Sequence, residues 1–152
     1  MSDANEAEFT TEELLSQAQG NATGFALAPI AYAKEYDDLA VEEYVAFVAQ
    51  RFASGWEELR GRAVRDVART AVLNVVSSGG RLSSLSGDDE RAEVLISGWP
   101  EEEDLSSLGL TQADSEPLWN IFEPIMELLG IRYAWERQDG AVRMTLERES
   151  TR

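Results

Sequence analysis

Apolar positions along the chain follow two different periods. Between Leu39 and Val76 they fall at 41, 44, 45, 48, 52, 56, 59, 63, 67, 71 and 75. Steps of one, three or four keep a single helical face apolar, so the stretch predicts helix. Asp38 suits the N-cap, and Glu42 and Glu43 suit the positive end of the helix dipole. The unit reads either as one long helix or as two. In the second case Ser54 and Glu57 restart it as a capping box, and Gly55 and Gly61 weaken the middle. Ser77 to Gly80 end it.

The other period is two. Ile131–Arg137 and Ala141–Arg148 both alternate, with Asp139 and Gly140 between them as a two-residue hairpin turn. That turn fixes a register: Arg137 faces Val142, Glu136 faces Arg143, Trp135 faces Met144, Tyr133 faces Leu146 and Arg132 faces Glu147. Charged pairs then share one face of the hairpin and apolar pairs the other.

Weaker signals fill the remainder. Residues 92–97 read as a strand, and 81–86 as its partner through a Gly87–Asp88 turn. Glu101–Leu108 reads as a short helix behind Pro100, ended by Gly109. Ser115–Pro117 opens a helix to Leu129, with Gly130 just past its end and a kink expected at Pro124. Its apolar arc is wide enough to need cover from the sheet plus another helix or a second subunit. At the start, residues 1–9 read as a mobile acidic arm. Thr10 and Glu13 form a capping box for a short helix stopping near Gly20–Asn21, and a second helix spans 25–36 after Pro29. The order predicts one α+β domain over 10–150. Long N-terminal helices pack on one face of a small antiparallel sheet of about four strands, ending in a β-hairpin.

Composition narrows the chemistry. The 152 residues carry 29 acids, 13 bases, no histidine and no cysteine, a formal charge of −16. No disulfide, thiolate nucleophile, zinc finger or imidazole base is available, and so acidic a chain lacks the basic footprint nucleic acid requires. No apolar run approaches a membrane span, and the acidic N-terminus is unlike a signal peptide, so a cytoplasmic protein with no membrane or nucleic-acid partner is expected. The charge is uneven: residues 1–50 and 81–152 each sum to −9, while 51–80 sum to +2.

Two sets of residues stand out as ligand-binding candidates. Arg62, Arg65 and Arg69 fall on one arc of the long helix, with Arg51 joining them if the helix is continuous. Arginine's fork of donors suits a carboxylate or phosphate. The same arc also reads as a solvated face paired with Glu58 and Asp66. Trp56, Trp99, Trp119 and Trp135, with Tyr133 and Phe122, supply walls for an apolar or aromatic ligand. A plain core accounts for Trp119 and Trp135 equally well, and Trp99, in the Gly98–Pro100 loop, reads as a pocket rim. The acids Glu101–Asp104 suit a helix N-terminus and lack the punctuated spacing of a calcium loop. No metal site, cofactor fingerprint or catalytic residue is legible.

Arg62 in the helix, Val94–Pro100, Leu118–Gly130 and Tyr133–Glu136 through Met144–Leu146 carry a resemblance to the vinyl-reductase-type small-molecule-binding domain. The related L-2-amino-thiazoline-4-carboxylic acid hydrolase-like proteins share it. The likeness spans residues 40–148. Many members carry cysteines near the strand and hairpin, where Ser97 and Met144 stand here. The resemblance implies a small-molecule-binding or sensory domain with a pocket between helices and sheet, and a possible dimer. The expectation is a non-enzymatic ligand-binding or regulatory domain. Two alternatives stay open: a hydrolase-like enzyme working through carboxylates, and a homodimeric interaction protein using the 118–129 helix.

Overall fold

The computed structural model describes residues 9–36 and 40–150. Most of the expected acidic arm, and Asp38 with its expected capping role, lie outside those residues.

Helix α1 spans Thr11–Tyr36 and opens on the predicted capping box, with Thr10 N–H donating to Glu13 Oε2 at 2.6 Å and Glu13 N–H to Thr10 Oγ1 at 3.1 Å. It does not stop at Gly20–Asn21. Gly20, Gly24 and Pro29 all lie inside one 26-residue helix. Neither glycine takes the left-handed conformation that ends a helix. Thr23, Leu27, Ile30 and Ala33 are buried along one side, and that packing carries the helix across its weak residues.

The long stretch 39–76 is two helices. Helix α2, Val41–Ala53, runs into a 3-10 segment over Ser54–Leu59 and a turn holding Gly61 at φ +78°, and helix α3 spans Val64–Ser77. The Ser54 side chain makes no capping bond. The α3 N-terminus docks on the turn after the first strand: Val64 N–H donates to the Asp89 carbonyl at 3.1 Å, and Arg65 N–H to that of Asp88 at 3.0 Å.

Strands β1 (Arg81–Gly87), β2 (Arg91–Ser97), β3 (Ile131–Gln138) and β4 (Ala141–Arg148) form an antiparallel sheet in the order β1-β2-β4-β3. The hairpin register agrees with the prediction at all five pairs, and Asp139 and Gly140 adopt φ +48° and +78°, as an Asp-Gly hairpin turn requires. Of the two charged pairs, Arg132–Glu147 closes to 2.6 Å, whereas Arg143 turns toward Glu93 across the sheet at 3.9 Å. Ala92, Val94, Ile96, Val142, Met144 and Leu146 point inward and are buried under the helices.

Between β2 and β3 lie α4 (Glu102–Ser107), α5 (Gln112–Ser115), a 3-10 segment Glu116–Ile121 and α6 (Phe122–Leu128). A second capping box, Thr111 with Asp114, starts α5. Residues 115–129 are therefore not one kinked helix. The geometry changes from 3-10 to α at Phe122, and Pro124 sits in the first turn of α6. The wide apolar arc is covered within the chain: Leu118, Trp119, Phe122, Ile125, Met126 and Leu129 are buried. No described helix is long and apolar enough to cross a membrane.

Candidate functional site: a tryptophan-walled cavity

A cavity of about 420 Å³ opens among the helices. Its walls come from Ala26 of α1, Phe52, Gly55 and Trp56 at the end of α2, and Asn74, Val75 and Ser78 at the end of α3. Trp99 closes one side, and Leu118, Trp119, Ile121, Phe122 and Ile125 of the 3-10 segment and α6 close the other. No strand residue and no charged side chain is among them. The size lies within the usual range for small-molecule pockets, roughly 300–1,000 Å³.

Local structure explains the placement of each tryptophan. The 3-10 segment after Ala53 turns Trp56 back against the core, its ring 6.3 Å from Phe122. Gly98, at φ +69°, ends β2 and sends Trp99 over the helices. A Cβ at Gly98 would run into the Arg81 guanidinium that crosses it. Trp119 meets Trp99 edge to face, 5.5 Å between ring centres at 87°.

The polar groups on the walls are few and mostly occupied. Trp99 Nε1 donates to Thr23 Oγ1 at 3.3 Å, and that hydroxyl donates to the Ser78 carbonyl at 2.9 Å. Asn74 Nδ2 donates to the Thr70 carbonyl at 2.9 Å, and Ser78 Oγ to the Asn74 carbonyl at 3.1 Å. Asn74 Oδ1 and the Ser78 lone pairs remain as acceptors. Trp119 Nε1 is buried without a hydrogen-bond partner.

The residues singled out from the sequence divide. Trp56, Trp99, Trp119 and Phe122 line the cavity. Trp135 and Tyr133 lie behind it on β3, where Trp135 Nε1 donates to Asn120 Oδ1 at 2.6 Å and Tyr133 Oη to the Trp119 carbonyl at 2.8 Å. Burial, and then the charge of Glu123, push the Tyr133 phenol far above its ordinary pKa, so it stays neutral and serves as a strut. The arginines lie elsewhere. Arg65 and Arg69 are exposed on α3, and Arg62 stands in the turn before that helix, so the three do not share one helical arc. None of the three pairs with Glu58 or Asp66 within the described residues. Arg51, on α2, lies over the Phe47 ring at 4.8 Å.

Thr23, Asn74, Ser78, Phe52 and Ile121 were not legible as site residues. Thr23 alone left a trace, as a lone hydroxyl among apolar neighbours on a helix. A second cavity of about 400 Å³, at the turn end of the sheet, holds Arg81 and Arg137, but these are paired with Glu101 at 3.0 Å and Glu116 at 3.3 Å. No described carboxylate is fully buried. Those with a resolved shift, Glu13, Asp88, Asp114 and Glu147, are all held below their ordinary values by hydrogen bonds or ion pairs. No group of three or more acids among the described residues is arranged to hold a metal ion. No known protein-family model matches the chain, and no curated protein matches it.

Proposed function

We propose that the protein is a cytoplasmic small-molecule-binding or regulatory module whose ligand occupies the tryptophan-walled cavity. One observation carries this reading: about 420 Å³ of space is walled by three tryptophans and several aliphatic side chains, with no charge among them. Such a pocket favours a flat, uncharged, largely apolar molecule, because an ion entering it would lose its hydration without a counter-charge. Asn74 Oδ1 and the Ser78 hydroxyl would orient a ligand that carries one or two hydrogen-bond donors. The reading keeps the likeness to vinyl-reductase-type domains, with one change. The cavity is bordered by helices and the Trp99 loop rather than lying between helix and sheet, and no arginine lines it.

The test is a titration with the neutral fluorophore N-phenyl-1-naphthylamine, read through tryptophan emission. The proposal expects saturable quenching with one site per chain, and loss of it in Ala26→Phe, which fills the cavity from α1. Emission unchanged through saturation of the probe, or an unaltered curve in Ala26→Phe, would count against it.

A further inference from the structure

Helix α1 is packed on one side only. Residues Thr11–Ala22 contribute no buried side chain, and Ser16, Gln19 and Gly20 approach the body only across a shallow cavity beside Ser78, Trp99 and Asp104. Isolated helices of about 12 residues are marginal in water, which makes an uncovered stretch of this length anomalous. The opposite side carries a strip at steps of three and four: Leu14, Ala18, Ala22, Phe25, Pro29, Tyr32 and Tyr36. On a 3.6-residue wheel this strip lies on the far side from Thr23, Leu27 and Ile30, which face the body of the protein. Phe25 is 81 % exposed, Leu14 58 %, Tyr36 56 % and Tyr32 51 %.

We propose that this strip is a homodimer interface, in which α1 packs antiparallel against α1 of a second copy about a two-fold axis near Phe25. Charge selects the partner. Leu14 to Ala33 are twenty consecutive uncharged residues in a chain of net charge −16. Two copies repel over most of their surfaces, and this is where they approach without like charges meeting. Size selects the direction. In an antiparallel pair centred on Phe25, Leu14 faces Tyr36 and Ala18 faces Tyr32, so the smaller half of the strip meets the larger half. In a parallel pair tyrosine would face tyrosine and alanine would face alanine, leaving gaps between them. The antiparallel arrangement also aligns the two helix dipoles favourably and keeps the acidic Glu12–Glu13 ends apart. The exposed part of the strip amounts to roughly 600 Å² per copy, and two copies reach about 1,200 Å², the lower edge of specific interfaces.

The chain has no cysteine, so any introduced thiol is unique. Sedimentation of the full chain is expected to show a dimer at micromolar concentration. Phe25→Arg and, independently, Ala18→Glu are expected to weaken it at least about tenfold while leaving helical circular dichroism unchanged. Under mild oxidation Phe25→Cys is expected to form a covalent dimer. Ala18→Cys and Tyr32→Cys are expected to cross-link when mixed and not each with itself. A monomer at tens of micromolar, a dimer indifferent to Phe25→Arg and Ala18→Glu, or self-linking of Ala18→Cys would overturn the proposal. A monomer that floats with phosphatidylcholine vesicles would assign the strip to a lipid surface and overturn it equally.

Discussion

The indole N–H of Trp99 donates to the hydroxyl of Thr23 across 3.3 Å, and that hydroxyl donates in turn to the Ser78 carbonyl at 2.9 Å. One buried side chain thereby ties α1 to the end of α3 and to the loop after β2, and holds a wall of the cavity in place. Thr23→Val preserves shape and removes both bonds, leaving an indole N–H and a carbonyl without partners. Such a loss costs about 1–3 kcal/mol. Urea denaturation should show a drop of that size, with Thr23→Ser much closer to wild type.

Trp119 is 1 % exposed, yet its Nε1 has no partner. Trp119→Phe removes that N–H and most of the cost of burying it. Trp119→Ala removes the ring that meets both Trp99 and Trp135, a change that typically costs about 3–5 kcal/mol. The phenylalanine variant is expected to lose less than half of what the alanine variant loses, read from denaturation midpoints at constant slope.

Asp114 accepts from the Thr111 N–H at 2.7 Å and pairs with Lys34 Nζ at 2.6 Å, joining α5 to the end of α1. Its carboxyl is held below the ordinary value, first by Lys34 and then by the Thr111 backbone. A folded-state pKa below the unfolded one gives stability that is fully present above the unfolded value, near 4, and is lost as pH falls through the folded value. Asp114→Asn should therefore be less stable than wild type at pH 7, by about 1 kcal/mol as for other helix caps. The two should converge on acidification below pH 4. A constant difference across that range would contradict the assignment.

Gly98 holds φ +69° with the Arg81 guanidinium lying where a Cβ would stand. Gly98→Ala strains the backbone and displaces Arg81 from Glu101. A loss of about 1–2 kcal/mol is expected from the left-handed backbone alone. Re-aiming Trp99 should also alter its near-ultraviolet circular dichroism, which checks the site directly.

The hairpin was legible because its turn and its alternation agree, and a one-residue slip would have exposed Met144 and Leu146. The break in 39–76 was legible as an alternative, through Gly55 and Gly61. The continuity of α1 was not, because Gly20 and Asn21 signal an end locally and Pro29 signals a fresh start. Burial of Leu27, Ile30 and Ala33, a tertiary effect, overrides them. The three cavity tryptophans were named from the sequence, but periodicity does not distinguish a wall from a core. Trp135 and Trp119 are both apolar positions on packed elements, and only the cavity separates them. The arginine arc failed with the helix that defined it: once the chain turns at Gly61, Arg62 leaves the face shared by Arg65 and Arg69.

The charge-free cavity is tested most directly by paired isothermal titrations with 2-naphthol and 2-naphthoate, one ring system with a neutral donor and with a carboxylate. Naphthol is expected to bind at least about tenfold more tightly, because the carboxylate would be desolvated without a counter-charge. Arg65→Ala/Arg69→Ala is expected to leave both affinities unchanged. Tighter binding of naphthoate, lost when those arginines are removed, would return the ligand to the arginine face and contradict the assignment to the tryptophan-walled cavity.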